Sequence, residues 1–164
     1  MDRNWNKDWR KSVIVLSGGF DPVHKGHLRM FREASWLGHQ VVVGLNSDDW
    51  LTRKKGKPFM CWEERKEVLE SMRYVNQVLP FDDSDDTASD IIRKVANHHW
   101  DNAETDDTGF FNYYNIYFAN VGDRKVDNVP EVEVCKDEGV EMLWGVCGCK
   151  VQSSSDLVKN AEKI

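Results

Sequence analysis

No apolar run in this sequence approaches the roughly 20 residues needed to cross a bilayer, so a membrane-spanning helix is not expected. Cations are in deficit. Lys and Arg total 22 against 28 Asp and Glu, for a formal net charge of −6 at pH 7. That balance argues against nonspecific nucleic-acid binding but leaves room for a local basic pocket. Cysteine is sparse, with Cys61, Cys135, Cys147 and Cys149 only. Their spacing fits no zinc site, and Cys147-Gly148-Cys149 is too tight for an ordinary metal or disulfide pair. Reduced thiols in a cytoplasmic protein are the simplest expectation. The segment Met1 to Trp9 has no apolar core of a secretory signal.

Three phosphate and hydrolase motifs are also missing. There is no G-x-x-x-x-G-K-[ST], which excludes a P-loop enzyme. No G-x-G-x-x-G follows the first strand, which leaves a dinucleotide-binding fold unsupported. No G-x-S-x-G elbow appears, so acyl hydrolysis has no nucleophile.

What is present begins with Val13-Ile14-Val15-Leu16, continuously apolar and so read as a strand buried on both faces. It runs into Ser17-Gly18-Gly19-Phe20-Asp21-Pro22-Val23-His24-Lys25-Gly26-His27-Leu28. The spacing of Leu28, Phe31 and Ala34 predicts a helix ending near Gly38, and Val41 to Leu45 predicts a second buried strand. Strand, helix and strand in this span make a parallel βαβ unit. Further strands are expected at 75–79, 116–119 and 140–146, with helices at 62–74, from Ser89 or Asp90 through Ala96, at 130–135 and from Ser153-Ser154-Ser155 onward. The expected fold is α/β: a Rossmann-like, doubly wound parallel sheet of about five strands. Residues 1–11 read as an N-terminal arm and 12–164 as one domain. Residues 97–114 give no clear assignment beyond a surface excursion rich in aromatic rings.

The chemistry follows from His24 and His27. Imidazoles three residues apart at the foot of a helix share one side, where the helix N-terminus adds unpaired N–H groups and a positive dipole end. Glycines let backbone approach a ligand closely. This combination suits a phosphorus under in-line attack, for which catalysis is mostly positioning and electrostatics. The run Arg53-Lys54-Lys55-Gly56-Lys57-Pro58 reads as a basic loop on the same sheet edge, either solvated or functional. Asp82-Asp83-Ser84-Asp85-Asp86 reads as a solvated acidic loop rather than a metal site.

Gly18 to His27 resembles the first signature of the H-x-G-H nucleotidyltransferase superfamily. The likeness runs through most of 12–96 and returns over 116–158, and is strongest to small cytidylyltransferases and to adenylyltransferase domains acting on sugar phosphates. It implies direct transfer: an acceptor phosphate oxygen attacks the α-phosphorus of a nucleoside triphosphate and pyrophosphate leaves. By resemblance, His24, His27 and Lys55 are catalytic. Gly18, Gly19, Phe20, Asp21, Gly122, Asp123, Ser153, Ser154 and Ser155 bind nucleotide, and Arg65 binds the acceptor. Mg²⁺ would accompany the triphosphate and need few protein ligands. The implied partners are a nucleoside triphosphate and a small phosphorylated substrate, with no nucleic acid or membrane; monomer and homodimer both stay open.

The chain departs from that pattern in places. Relatives that use CTP tend to carry R-T-x-G-I-S before the last helix, where this sequence has Cys147-Gly148-Cys149-Lys150-Val151-Gln152-Ser153. An arginine often found after the serine turn is replaced by Val158, beside Lys159. CTP and ATP therefore both remain open. So do two alternatives: a nucleotide-binding module without turnover, and an adenylyltransferase making NAD, FAD or coenzyme A precursors.

Overall fold

The computed structural model describes residues 12–38, 40–101, 115–121, 129–146 and 152–161. Among them five parallel strands form one sheet: β1 (Ser12–Gly18), β2 (Gln40–Leu45), β3 (Gln77–Pro80), β4 (Asn115–Val121) and β5 (Glu141–Val146), in the order β3-β2-β1-β4-β5. Six helices connect or follow them: α1 (Lys25–Leu37), α2 (Asp48–Lys55), α3 (Trp62–Glu70), α4 (Ser89–Asp101), α5 (Glu131–Asp137) and α6 (Ser154–Ala161). The expected Rossmann-like α/β sheet is what the structure contains.

The apolar run of β1 is explained by its central position. Side chains alternate across a strand, and both faces of this one are covered. Val13 and Val15 join Val42 in a core with Ile91, Ile92 and Val95 of α4 and Val134 and Cys135 of α5. Ile14 and Leu16 join Val41 and Val43 in a second core with Met30, Phe31 and Ala34 of α1 and Leu69 of α3. All of these are at most 4% exposed. Each fully buried Leu, Ile, Val or Phe contributes on the order of 1.5–3 kcal/mol, so the strand carrying the glycine motif is firmly anchored. No helix of the described residues is long and apolar enough to cross a membrane.

Three expectations are corrected. Arg53, Lys54 and Lys55 lie not in a loop but in the last turn of α2, where cations complement the helix dipole. Its start is marked by Ser47, whose hydroxyl caps the Trp50 amide at 3.0 Å, and by Asp48 and Asp49 in the first turn. Pro80 does not stop β3 but belongs to it, pairing with Leu45. This is tolerated because β3 is an edge strand, where a missing N–H disrupts nothing. Asp83 is not solvated: it is 4% exposed and accepts from the Asn46 amide, the Ser47 backbone and the Ser47 hydroxyl at 3.0, 2.7 and 2.7 Å.

The order β3-β2-β1-β4-β5 reverses direction between β1 and β4. In open α/β sheets ligands bind outside the carboxyl ends of the strands at this switch point. Gly18 ends β1 there and Asn120 lies near the end of β4.

Candidate active site

The turn after β1 is built as a rigid loop. Gly18 O accepts from Asn46 N at 3.1 Å, tying the ends of β1 and β2 together. A Cβ on Gly19 would come within 2.8 Å of Leu51 Cδ2, so the backbone sits directly against α2. Phe20 adopts φ 47°, a left-handed conformation that costs a side-chain-bearing residue roughly 1–2 kcal/mol. Burial of its ring offsets that cost. The ring is edge-on to His27, with centroids 4.9 Å apart, and tilted against Phe31 at 5.3 Å.

Asp21 then locks the loop to the segment between α2 and α3. Its carboxylate, 1% exposed, accepts from the backbone amides of Phe59 at 2.7 Å and Met60 at 2.8 Å. Its carbonyl accepts from Lys55 Nζ at 3.2 Å. Of the basic run, Lys55 reaches the glycine turn, whereas Arg53 and Lys54 pair with Asp86 at 3.3 and 3.4 Å. Burial lowers the pKa of Lys55; Asp21 opposes the shift and the Arg65 guanidinium adds to it.

His24 caps α1. Its Nδ1 accepts from Gly26 N at 3.1 Å, while His27 Nδ1 accepts from His24 N at 3.3 Å, closing a reciprocal capping box. With each Nδ1 used as an acceptor, the hydrogen-bond network assigns the proton of each neutral ring to Nε2. The two rings stack with centroids 3.7 Å apart at 18°. Burial, reinforced by the neighbouring His24 and Lys55, pushes the His27 pKa down to about 3. His27 is therefore a neutral N–H donor at ordinary pH, in a field already made positive by its surroundings.

Arg65 presents a different picture from the acceptor contact expected of it. The side chain is 0% exposed. Its Nη1 donates to Gly19 O at 2.7 Å and Asn46 O at 3.0 Å, its Nε to Met60 O at 3.1 Å, and its Nη2 to Asp48 Oδ1 at 2.6 Å. A contact with acceptor from this position would require the guanidinium to leave those partners. Here it holds the ends of β1 and β2 and the start of α3 in one register. Asp48 completes the junction by accepting from the Trp62 amide at 3.1 Å.

From the far end of the chain, Ser154 donates to Pro22 O at 2.8 Å, bringing the start of α6 against the glycine turn. Ser153 O accepts from Leu157 N at 3.2 Å in the first turn of that helix. Ser153 and Ser155 are half-buried beside it. The structure thus gathers Gly18 to His27, Lys55 and the serine turn at one end of the sheet. Gly122 and Asp123 lie outside the described residues. Sequence reasoning did not anticipate the Asp21, Asp48 and Asp83 latches, whose partners lie 14 to 39 residues away.

A family model described as cytidylyltransferase-like matches residues 15–160. The chain belongs to that family. Glycerol-3-phosphate cytidylyltransferase of Bacillus subtilis is 34% identical over 79 residues, covering 48% of this chain and 61% of that protein. The Bacillus spizizenii protein of the same name is 29% identical over 126 residues, 76% of this chain and 95% of its own length. The bifunctional protein HldE of Coxiella burnetii is 34% identical over 87 residues, but only 18% of it is matched. Among solved structures, a bifunctional NMN adenylyltransferase/ADP ribose pyrophosphatase from Francisella tularensis superposes with a TM-score of 0.61 at 16% identity, over 94% of this chain and 43% of that one. At that identity the likeness concerns the fold. The matched span includes the glycine-histidine turn described above.

Proposed function

We propose that this protein is a nucleotidyltransferase that moves a nucleoside monophosphate from CTP, or alternatively ATP, to a small phosphorylated metabolite. An oxygen of the acceptor phosphate attacks the α-phosphorus, the bond from that phosphorus to the β-bridging oxygen breaks, and pyrophosphate leaves. The observation that carries this reading is the stacked His24–His27 pair at the start of α1, with Nε2–H on both rings and Lys55 beside the same turn. Nε2–H donors fixed before substrate arrives stabilise charge developing on the α-phosphoryl oxygens without reorganising. Because His27 is neutral beforehand, it donates a hydrogen bond rather than a full charge, and Lys55 supplies the mobile cation.

Gly18, Gly19 and Phe20 give the triphosphate a close approach to backbone, and Asp21 acts by holding that backbone in place. Ser153, Ser154 and Ser155 contribute hydroxyls and the α6 N-terminus toward the β- and γ-phosphates. Mg²⁺ accompanying the triphosphate would be held mainly by phosphate oxygens and water and would neutralise phosphate charge. Among the described residues, no three His, Cys, Asp or Glu side chains converge to hold a metal. Arg65 positions Gly19 and Asn46.

The test is pyrophosphate release from CTP and from ATP with Mg²⁺, across sugar, polyol and amino-alcohol phosphates. His27→Asn is expected to lower kcat by a factor of about 100 or more, equivalent to a few kcal/mol of transition-state stabilisation. Tight nucleotide binding with no release for any acceptor would refute the proposal in favour of a binding module.

A further inference from the structure

The helix that carries Lys55 has little of its own to hold it. α2 is eight residues long with one buried side chain, Leu51, and helices of that length do not persist without outside contacts. The turn at 83–86, between β3 and α4, supplies such contacts at both ends. At the start, the buried Asp83 carboxylate accepts from Ser47 N and Ser47 Oγ, each at 2.7 Å, and from Asn46 Nδ2 at 3.0 Å. Ser47 is the N-cap, so Asp83 fixes the residue from which the helix begins. At the far end, Arg53 Nη2 donates to Asp83 O at 2.7 Å and to Asp86 Oδ1 at 3.3 Å, and Lys54 Nζ lies 3.4 Å from Asp86 Oδ2.

The turn is itself closed. Asp86 N donates to Asp83 O at 3.0 Å, the same carbonyl that Arg53 uses. Asp86 stands at φ 62°, in the left-handed region that Asp tolerates better than most side chains, and there its carboxylate meets both cations. Residues two apart on a helix point about 200° apart. With Arg53 drawn to the turn, Lys55 is left on the other side of α2, where its Nζ meets Asp21 O at 3.2 Å. Exposed ion pairs such as Arg53–Asp86 add little to stability; their effect here is one of direction. The clamp also borders the site, since Asp86 and Thr87 of this segment and Trp50 of α2 line a cavity together with Gly18 and Asn46.

We propose that Asp83 and Asp86 are positioning residues for Lys55: by fixing both ends of α2, they set the point from which the lysine side chain reaches the phosphates, a role that rests on the nucleotidyltransferase reading of that lysine. Neither carboxylate touches substrate. Displacing a catalytic group by about 1 Å can cost on the order of 100-fold in rate. A short helix with one buried residue is free to make such a shift once its polar clamp is removed.

The experiment is a double-mutant cycle on the full chain, crossing Asp83→Asn with Lys55→Ala. It is read in kcat for pyrophosphate release from CTP or ATP with Mg²⁺ across sugar, polyol and amino-alcohol phosphates, and in affinity for the same nucleotide by calorimetry. Asp83→Asn is expected to lower kcat about tenfold while the acceptor KM stays within about threefold. In the Lys55→Ala background the same substitution should lower kcat by less than about twofold, because nothing is left to position. A merely structural role would lower kcat by the same factor in both backgrounds. Asp86→Asn runs in parallel: Asp86 is exposed and asparagine accepts the left-handed backbone, so this variant folds even where Asp83→Asn does not, as melting temperatures will show. A loss of about threefold is expected, again absent without Lys55. Equal factors in the two backgrounds, or an unchanged kcat in both Asp83→Asn and Asp86→Asn, would overturn the proposal. Release with equal factors leaves the nucleotidyltransferase standing and removes the clamp. If the wild type releases no pyrophosphate from any acceptor, that reading is lost and the cycle in nucleotide affinity decides the clamp: a loss confined to the Lys55 background supports it, and an equal loss, no loss or no nucleotide binding overturns it.

Discussion

Exchanging His27 for asparagine should change how the protein responds to acid as well as how it handles phosphate. In the wild type, the folded-state pKa of about 3 lies below the ordinary histidine value of 6.5. Between those values the unfolded chain binds a proton that the folded chain does not, so stability rises with pH across that window and falls as pH is lowered through it. The contribution is present in full above pH 6.5 and exhausted near pH 3. With 1.36 kcal/mol per pKa unit, moving from pH 7 to pH 5 costs the wild type about 2 kcal/mol through this one group. In His27→Asn the amide oxygen can take the place of Nδ1 as acceptor for His24 N, and nothing titrates. The variant will be less stable at pH 7, because it loses the ring contact with Phe20. Its loss on going to pH 5 should nevertheless be about 2 kcal/mol smaller than the wild type's. Urea denaturation of both proteins at the two pH values measures this as a double difference, and with a typical slope of 1–3 kcal/mol per molar urea it amounts to about a 1 M shift in midpoint. Parallel pH dependences would mean that His27 titrates near its ordinary value, and the description of it as a neutral donor would fail.

Arg65→Met should destabilise the fold by several kcal/mol, since three backbone carbonyls and the partly exposed Asp48 lose a fully buried donor at once and each buried acceptor left unmatched costs about 1–3 kcal/mol. Arg65→Lys should recover less than half of that, because one ammonium cannot span Gly19, Asn46 and Met60; chemical denaturation of the two variants decides it. Asp21→Asn replaces one acceptor oxygen by a donor facing a backbone N–H, so it should cost about 1–3 kcal/mol. It should also speed proteolysis between α2 and α3, and an unchanged nicking rate in that segment would count against the latch.

The parts of the molecule legible in the sequence are those whose physics is local. Val13 to Leu16 reads as a buried strand because a central strand needs apolar side chains on both faces. The reading of His24 and His27 needs only a strand before them and a helix after. Other features depend on partners far along the chain. Nothing near Arg65 says that its guanidinium will be enclosed by carbonyls from Gly19 and Asn46, 46 and 19 residues away. Nothing near Asp83 distinguishes it from the solvated acids around it. The helix α2 was within reach, since Ser47, Asp48 and Asp49 are start signals, but eight residues with one buried position, Leu51, leave no apolar period to read. Glu131 opens a short helix as many surface glutamates do, and only its placement against Ala88 sets it apart.

The threefold grip on Asp21 has a consequence for motion. Lys55 holds the Asp21 carbonyl, whereas Phe59 and Met60 hold its carboxylate. The lysine can thus be drawn away by an incoming anion while two charge-assisted bonds to backbone keep the segment anchored. A partly exposed side chain changes rotamer within picoseconds to nanoseconds, far faster than a loop or domain closes. Under the proposed function, cation delivery to the phosphate would be set by the swing of one side chain, with the turn that presents the histidines staying still while it happens.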